Sequence, residues 1–218
     1  KNPDAAPYRG ARSNVLARYA AMVNKDRPKA TSYFNLGNLY VEVGDAEMAL
    51  LAYRRVLEIN PRHSGALYNL GNLYKEQGRL KEALGFYQKA LDVNPRMADA
   101  YLNMGVIYGR QAALNPTVQG EPRRRLDYLG RRGEKALEKS FYQKALEVDP
   151  RNGRAYFNLG FLEEAAENLP GALDLYQKSV ALDPANAEGY YNMGNIYTRL
   201  NNTEEAISSY LKAVDQDS

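Results

Sequence analysis

The chain has no cysteine and a single histidine, His63, among its 218 residues. The first absence excludes disulfides, thiolate metal sites and a cysteine nucleophile, and it is compatible with either cytoplasm or periplasm. The second excludes a histidine-based triad and a multi-histidine metal site. His63 itself lies beside Arg62 in a turn and reads as an ordinary surface residue. No apolar run is long enough to cross a bilayer, although 44% of the residues are apolar. Glycine-rich phosphate loops are also missing, because the glycines follow a repeat rather than a cluster. Carboxylate pairs such as Glu163 with Glu164 and Glu204 with Glu205 read as solvated helix turns rather than acid–base machinery. No catalytic residue, metal ligand or cofactor is expected.

What is present is one string in five versions: YFNLGNLY from Tyr33, LYNLGNLY from Leu67, YLNMGVIY from Tyr101, YFNLGFLE from Tyr156 and YYNMGNIY from Tyr190. The first two copies are 34 residues apart, as are the last two. A unit that short cannot bury a core alone, so stacking must make the fold. The units run over 30–63, 64–97, 98–152, 153–186 and 187–218. In the first, apolar positions at Tyr33, Leu36 and Tyr40 and again at Ala49, Tyr53 and Val56 have the spacing of two amphipathic helices. Gly44 and Gly78, with Asn201 and Asn202 in the fifth unit, suit left-handed helix ends between them. Asn60-Pro61, Asn94-Pro95, Asp149-Pro150 and Asp183-Pro184 stop each second helix, since proline pushes its predecessor out of helical geometry. Small residues recur where helices must approach closely, at Gly37, Gly71, Gly105, Gly160 and Gly194 and at Ala49, Ala83, Ala172 and Ala206.

These residues resemble the tetratricopeptide repeat family, whose pattern of aromatic, Leu-Gly, Tyr, Ala, aromatic, Ala and Pro appears here as Leu67, Leu70-Gly71, Tyr74, Ala83, Tyr87, Ala90 and Pro95. The resemblance covers about 30–218. It implies an all-α, right-handed superhelical solenoid of antiparallel helix pairs. Four positions depart from the pattern: Leu67 for an aromatic, Glu163 for a tyrosine, Glu138 for a small residue and Ser218 for proline.

Two segments lie outside the regular pattern. Residues 1–29 are expected to form an arm followed by a capping helix from Ser13, a half-repeat in which Leu16, Tyr19 and Met22 align with Leu50, Tyr53 and Val56. The third unit carries an excess of 21 residues between its helices, at about 111–131. Leu126, Leu129, Gly133, Leu137, Phe141 and Ala145 continue its second helix backwards, which predicts a protruding helical hairpin carrying Arg123, Arg124, Arg125, Arg131 and Arg132, with a disordered loop as the competing reading because Gly130 and Gly133 weaken a helix. Both segments are basic: seven Lys or Arg against two acids in 1–29, and seven against three in 110–135. The remaining body has 15 bases and 21 acids, a net of −6.

The residue before each Leu/Met-Gly pair is asparagine in all five units: Asn35, Asn69, Asn103, Asn158 and Asn192. Asparagine is a mediocre helix former, so propensity does not explain the repetition. In this family the place lies on the concave face, and the resemblance implies a ladder of amides similar to the groove of the O-linked N-acetylglucosamine transferases. An amide has one acceptor and two donors and can pair with almost any peptide backbone. Asn38, Asn72 and Asn195 follow three residues later, and Tyr68, Phe157 and Tyr191 stand beside the ladder, with Phe34 and Leu102 at the matching places. The Lys and Arg clamp of the chaperone-binding relatives is missing.

The resulting expectation is a non-catalytic scaffold that holds an extended segment of another protein, with the basic hairpin as a second contact. Two alternatives remain open. One is a self-assembling subunit joined through Ile207 and Leu211 of the last unit; the other is the substrate-recruiting region of a larger enzyme. Nucleic acid is disfavoured, because the arginine runs lack interleaved aromatics.

Overall fold

The computed structural model describes residues 29–114 and 125–216, with Ala21; side chains are described outside 112–132 and 134. Among these residues there are ten α-helices and no strand. They are α1 (Ala30–Glu42), α2 (Ala46–Ile59), α3 (Ser64–Glu76), α4 (Leu80–Val93), α5 (Ala98–Leu114), α6 (Arg125–Val148), α7 (Gly153–Ala165), α8 (Leu169–Leu182), α9 (Ala187–Arg199) and α10 (Thr203–Gln216). They divide into two compact units, one ending at Pro95 and the other starting at Arg96. The arm and capping helix expected over 1–29, and the tip of the expected hairpin at 115–124, lie outside the described residues.

The helices begin and end for local reasons. Asp45, Asn152, Asn168 and Asn186 cap α2, α7, α8 and α9, each side chain accepting a backbone N–H of the first turn. His63 caps α3 in the same way: its Nδ1 accepts from the Ala66 N–H at 3.1 Å, and its ring lies 4.7 Å from that of Phe34. This corrects its reading as a plain surface residue, because a neutral imidazole nitrogen can do the work of an Asx oxygen. The turns between paired helices need a left-handed residue, supplied by Gly44 (φ 79°), Gly78 (φ 73°), Asn201 (φ 59°) and, unforeseen, Glu167 (φ 62°).

Each pair then seats one tyrosine ring against one glycine. In the first unit α1 packs on α2, α2 on α3 and α3 on α4, around a core that includes Leu36, Tyr40, Tyr53, Val56, Leu70 and Leu73. In the second, α5, α7 and α9 pack on α6, α8 and α10, with cores around Tyr142 and Tyr176. A methyl group added to Gly37, Gly71, Gly105, Gly160 or Gly194 would sit 2.5–2.8 Å from the ring of Tyr53, Tyr87, Tyr142, Tyr176 or Tyr210 respectively. The recurrent glycine is therefore the seat of the recurrent tyrosine. Glu138, where the repeat pattern calls for a small residue, is buried, and its carboxylate fills the space that a side chain at Gly109 would need.

Candidate functional site

The amides read from the sequence do not stand alone; the seated tyrosines organise them. In the first unit the Tyr53 hydroxyl donates to Asn38 Oδ1 at 2.7 Å and accepts from Asn69 Nδ2 at 3.0 Å, while Asn69 Nδ2 also reaches Asn38 Oδ1 at 3.1 Å. This closed triangle ties the first repeat to the second. Burial raises the Tyr53 phenol above its usual pKa, and the bond from Asn69 partly opposes that shift. Both bonds made by Asn69 use its nitrogen, so they do not consume its carbonyl oxygen. In the second repeat Tyr87 donates to Asn72 Oδ1 at 2.7 Å.

The second unit solves the same problem with different acceptors. Tyr210 donates to Asn195 Oδ1 at 2.8 Å. Where Phe161 replaces the asparagine, Tyr176 donates instead to Glu164 Oε2 at 2.9 Å and receives Asn192 Nδ2 at 3.4 Å. Where Val106 replaces it, Tyr142 donates to Glu138 Oε1 at 3.2 Å. A buried phenol must find an acceptor, and a carboxylate serves when the amide is missing. The aromatic beside the ladder lies tilted against the same tyrosine: Phe34 on Tyr53, Tyr68 on Tyr87, Phe157 on Tyr176 and Tyr191 on Tyr210, with centroids 5.5–5.8 Å apart.

A cleft of about 350 Å³ opens over the triangle in the first unit, lined by Asn38, Val41 and Glu42 of α1, Tyr53 of α2, and Asn69, Asn72, Leu73 and Glu76 of α3. Val41 is 44% exposed and offers apolar surface at its edge. A second cleft, of about 310 Å³ in the second unit, is lined by Val106, Arg154, Phe157, Asn158, Asp183, Asn186 and Glu188. Sequence-expected residues thus gather in two places: Asn38, Asn69 and Asn72 in the first cleft, Phe157 and Asn158 in the second.

The other expected residues are dispersed. Asn35 is exposed outside either lining, Asn103 is buried at 5% exposure, and Asn192 and Asn195 bond to tyrosines. Leu102 is fully buried, and Tyr191 is 54% exposed. Arg123 and Arg124 lie outside the described residues, and Arg125, Arg131 and Arg132 fall in α6 without described side chains. Sequence reasoning missed Val41, Glu42, Glu76 and the hydroxyl of Tyr53. A signal for the two acids existed, since each stands five residues after the seating glycine of its repeat.

The fold and its repeated tyrosine seat define a class, a helical solenoid of antiparallel pairs. A TPR repeat model matches residues 37–78, 71–111 and 165–201, and two further tetratricopeptide repeat models match 141–174 and 187–218. The chain belongs to the tetratricopeptide repeat family. No curated protein matches it by sequence. Among solved structures it is similar to MamA from Desulfovibrio magneticus RS-1 (19% identity, TM-score 0.63, covering 86% of this chain and 94% of that one). It is also similar to YrrB, a TPR protein with an unusual peptide-binding site (24%, 0.60, 91% and 91%). A third is pilF of Pseudomonas aeruginosa (20%, 0.69, 86% and 76%). At these identities the likeness speaks for the fold. The TPR fold is typically a non-catalytic module with protein partners, and the chain is a scaffold for protein–protein interaction. No helix among the described residues is long and apolar enough to cross a membrane.

Proposed function

We propose that the scaffold holds an extended segment of another protein in the amide-lined cleft of the first unit. The observation that carries this reading is the cleft itself, where three amides and a phenol converge beside the exposed Val41. Amides pair with a guest's main chain whatever its sequence, and the apolar edge takes a side chain. The peptide-binding site of YrrB, a structural neighbour, supports the reading by analogy of fold. The remaining ladder and aromatic positions, Asn158, Asn192, Asn195, Phe157 and Tyr191, are assigned to the same task in the second unit, whereas the buried Asn103 is out of a guest's reach.

The test is peptide display on the full chain beside a Val41→Arg variant, which crowds the cleft and leaves the three residues of the tyrosine triangle in the sequence. Selected peptides are expected to bind the variant at least tenfold more weakly while its helical circular dichroism is unchanged. Equal binding to both proteins would sink the reading. We assign the second contact to the arginines of 123–132. Reversal of Arg123, Arg124 and Arg125 to glutamate is expected to lower retention of the whole partner but leave binding of the isolated peptide unchanged.

A further inference from the structure

The first-unit cleft carries a charge that the amide ladder does not explain. Glu42 and Glu76 line it together, both exposed, one from each repeat of the unit. Their place in the repeat is the same, five residues after Gly37 and Gly71, and the next three repeats hold Arg110, Ala165 and Arg199 there. The acidity is therefore peculiar to this unit and is not a property of the repeat pattern.

Two other acids of the same unit are paired nearby, Glu58 with Arg55 of the same helix and Glu82 with Arg79 at the N-cap of its helix. Neither Glu42 nor Glu76 takes part in an ion pair among the described residues. Lys75, adjacent in sequence to Glu76, is turned about 100° from it around the helix. Two carboxylates facing one cleft repel each other and lower the potential between them, a state that a guest cation relieves. The apolar stem of a lysine or arginine would lie along Val41 and Leu73, which line the cleft beside the carboxylates.

We propose that this cleft selects an extended segment of a partner protein carrying a lysine or arginine side chain, seated between Glu42 and Glu76. The proposal rests on the reading of the cleft as a peptide site and adds the chemistry of its guest. The amides hold the main chain, and the carboxylates choose the side chain.

A random dodecapeptide display library panned on the full chain provides the probe, and the enriched sequences are then synthesised. The expected result is a lysine or arginine at one fixed register. Affinity should weaken about fivefold in the Glu42→Gln, Glu76→Gln double variant, and rising salt should remove the difference. The glutamines keep size and polarity, so folding is preserved. Enrichment without a basic preference, or equal affinity for the double variant, overturns the charge proposal and leaves the cleft reading standing. Peptides that bind Val41→Arg as tightly as the natural chain overturn both, as does the absence of any enriched peptide. Enrichment that appears only after deletion of residues 1–12 would give the cleft to the chain's own basic arm and overturn the proposal in favour of that segment.

Discussion

At the scale of single residues, the seat of the tyrosine decides which substitutions the fold tolerates. A methyl group on Gly71 would meet the Tyr87 ring at 2.6 Å, a contact that the helix propensity of alanine cannot offset. Gly71→Ala is expected to lower stability by about 1–2 kcal/mol in urea titration. Gly85 sits within α4 with nothing within 4 Å of an added methyl group, so Gly85→Ala should raise stability by about 0.5–1 kcal/mol in the same assay. Opposite signs from one chemical change separate packing from propensity. Tyr53→Phe strips the triangle of its shared hydroxyl and is expected to cost about 1–2 kcal/mol, with the loss reduced in an Asn69→Ala background because the two residues share the network.

At the scale of the element, the α5 and α6 pair shows how one departure from the repeat is compensated by another. Glu138 is buried, and burial raises its carboxyl above the usual range, opposed by the bond from Tyr142 and by Lys135. A folded value above the unfolded one means that the unfolded chain ionises first as pH rises. The carboxyl therefore favours folding fully below the unfolded value, and this contribution disappears as pH climbs through the folded one. Glu138→Gln keeps an acceptor for Tyr142 and removes the buried charge. It should stabilise the chain at pH 7 by up to about 1 kcal/mol, and thermal melts at pH 4 and pH 7 should show the gain shrinking at the lower pH. A gain that is the same at both values would show that burial of the charge is not the cause.

At the scale of the whole molecule, the seated tyrosines make alkaline stability a collective property. The phenols of Tyr53, Tyr87, Tyr142 and Tyr176 are all raised above 10.0, in each case first by burial. The unfolded chain loses these protons first, so their contribution is intact below about pH 10 and is lost as pH climbs toward the folded values. Melting temperature should accordingly fall steeply above pH 10, and Tyr87→Phe should flatten that fall while lowering the neutral-pH baseline. Self-association is tested at this scale as well. Ile207, Leu211 and Val214 of α10 are 55%, 61% and 65% exposed. If that face joins copies, sedimentation velocity should show mass growing with concentration and lost on Ile207→Glu with Leu211→Glu; a monomer throughout removes the self-assembling alternative.

The sequence by itself determined the helix pairs, their stops and the recurrent small residues, because these follow from short-range rules: apolar spacing, the φ demanded at Gly44 and Gly78, and the geometry before proline. It also determined family membership, since five copies of one string leave little room for another fold. Only the tertiary structure decided which partners the amides take within the chain. That Asn69 bonds to a tyrosine depends on the hydroxyl that the neighbouring repeat brings within 3.0 Å. Spacing along one helix cannot reveal that distance. The same holds for His63 as a cap, for Gly109 yielding its space to Glu138, and for Glu42 and Glu76, ordinary surface acids until stacking sets them in one cleft. Local propensity writes the elements, whereas hydrogen-bond partners and shared charge arise only when separate repeats meet.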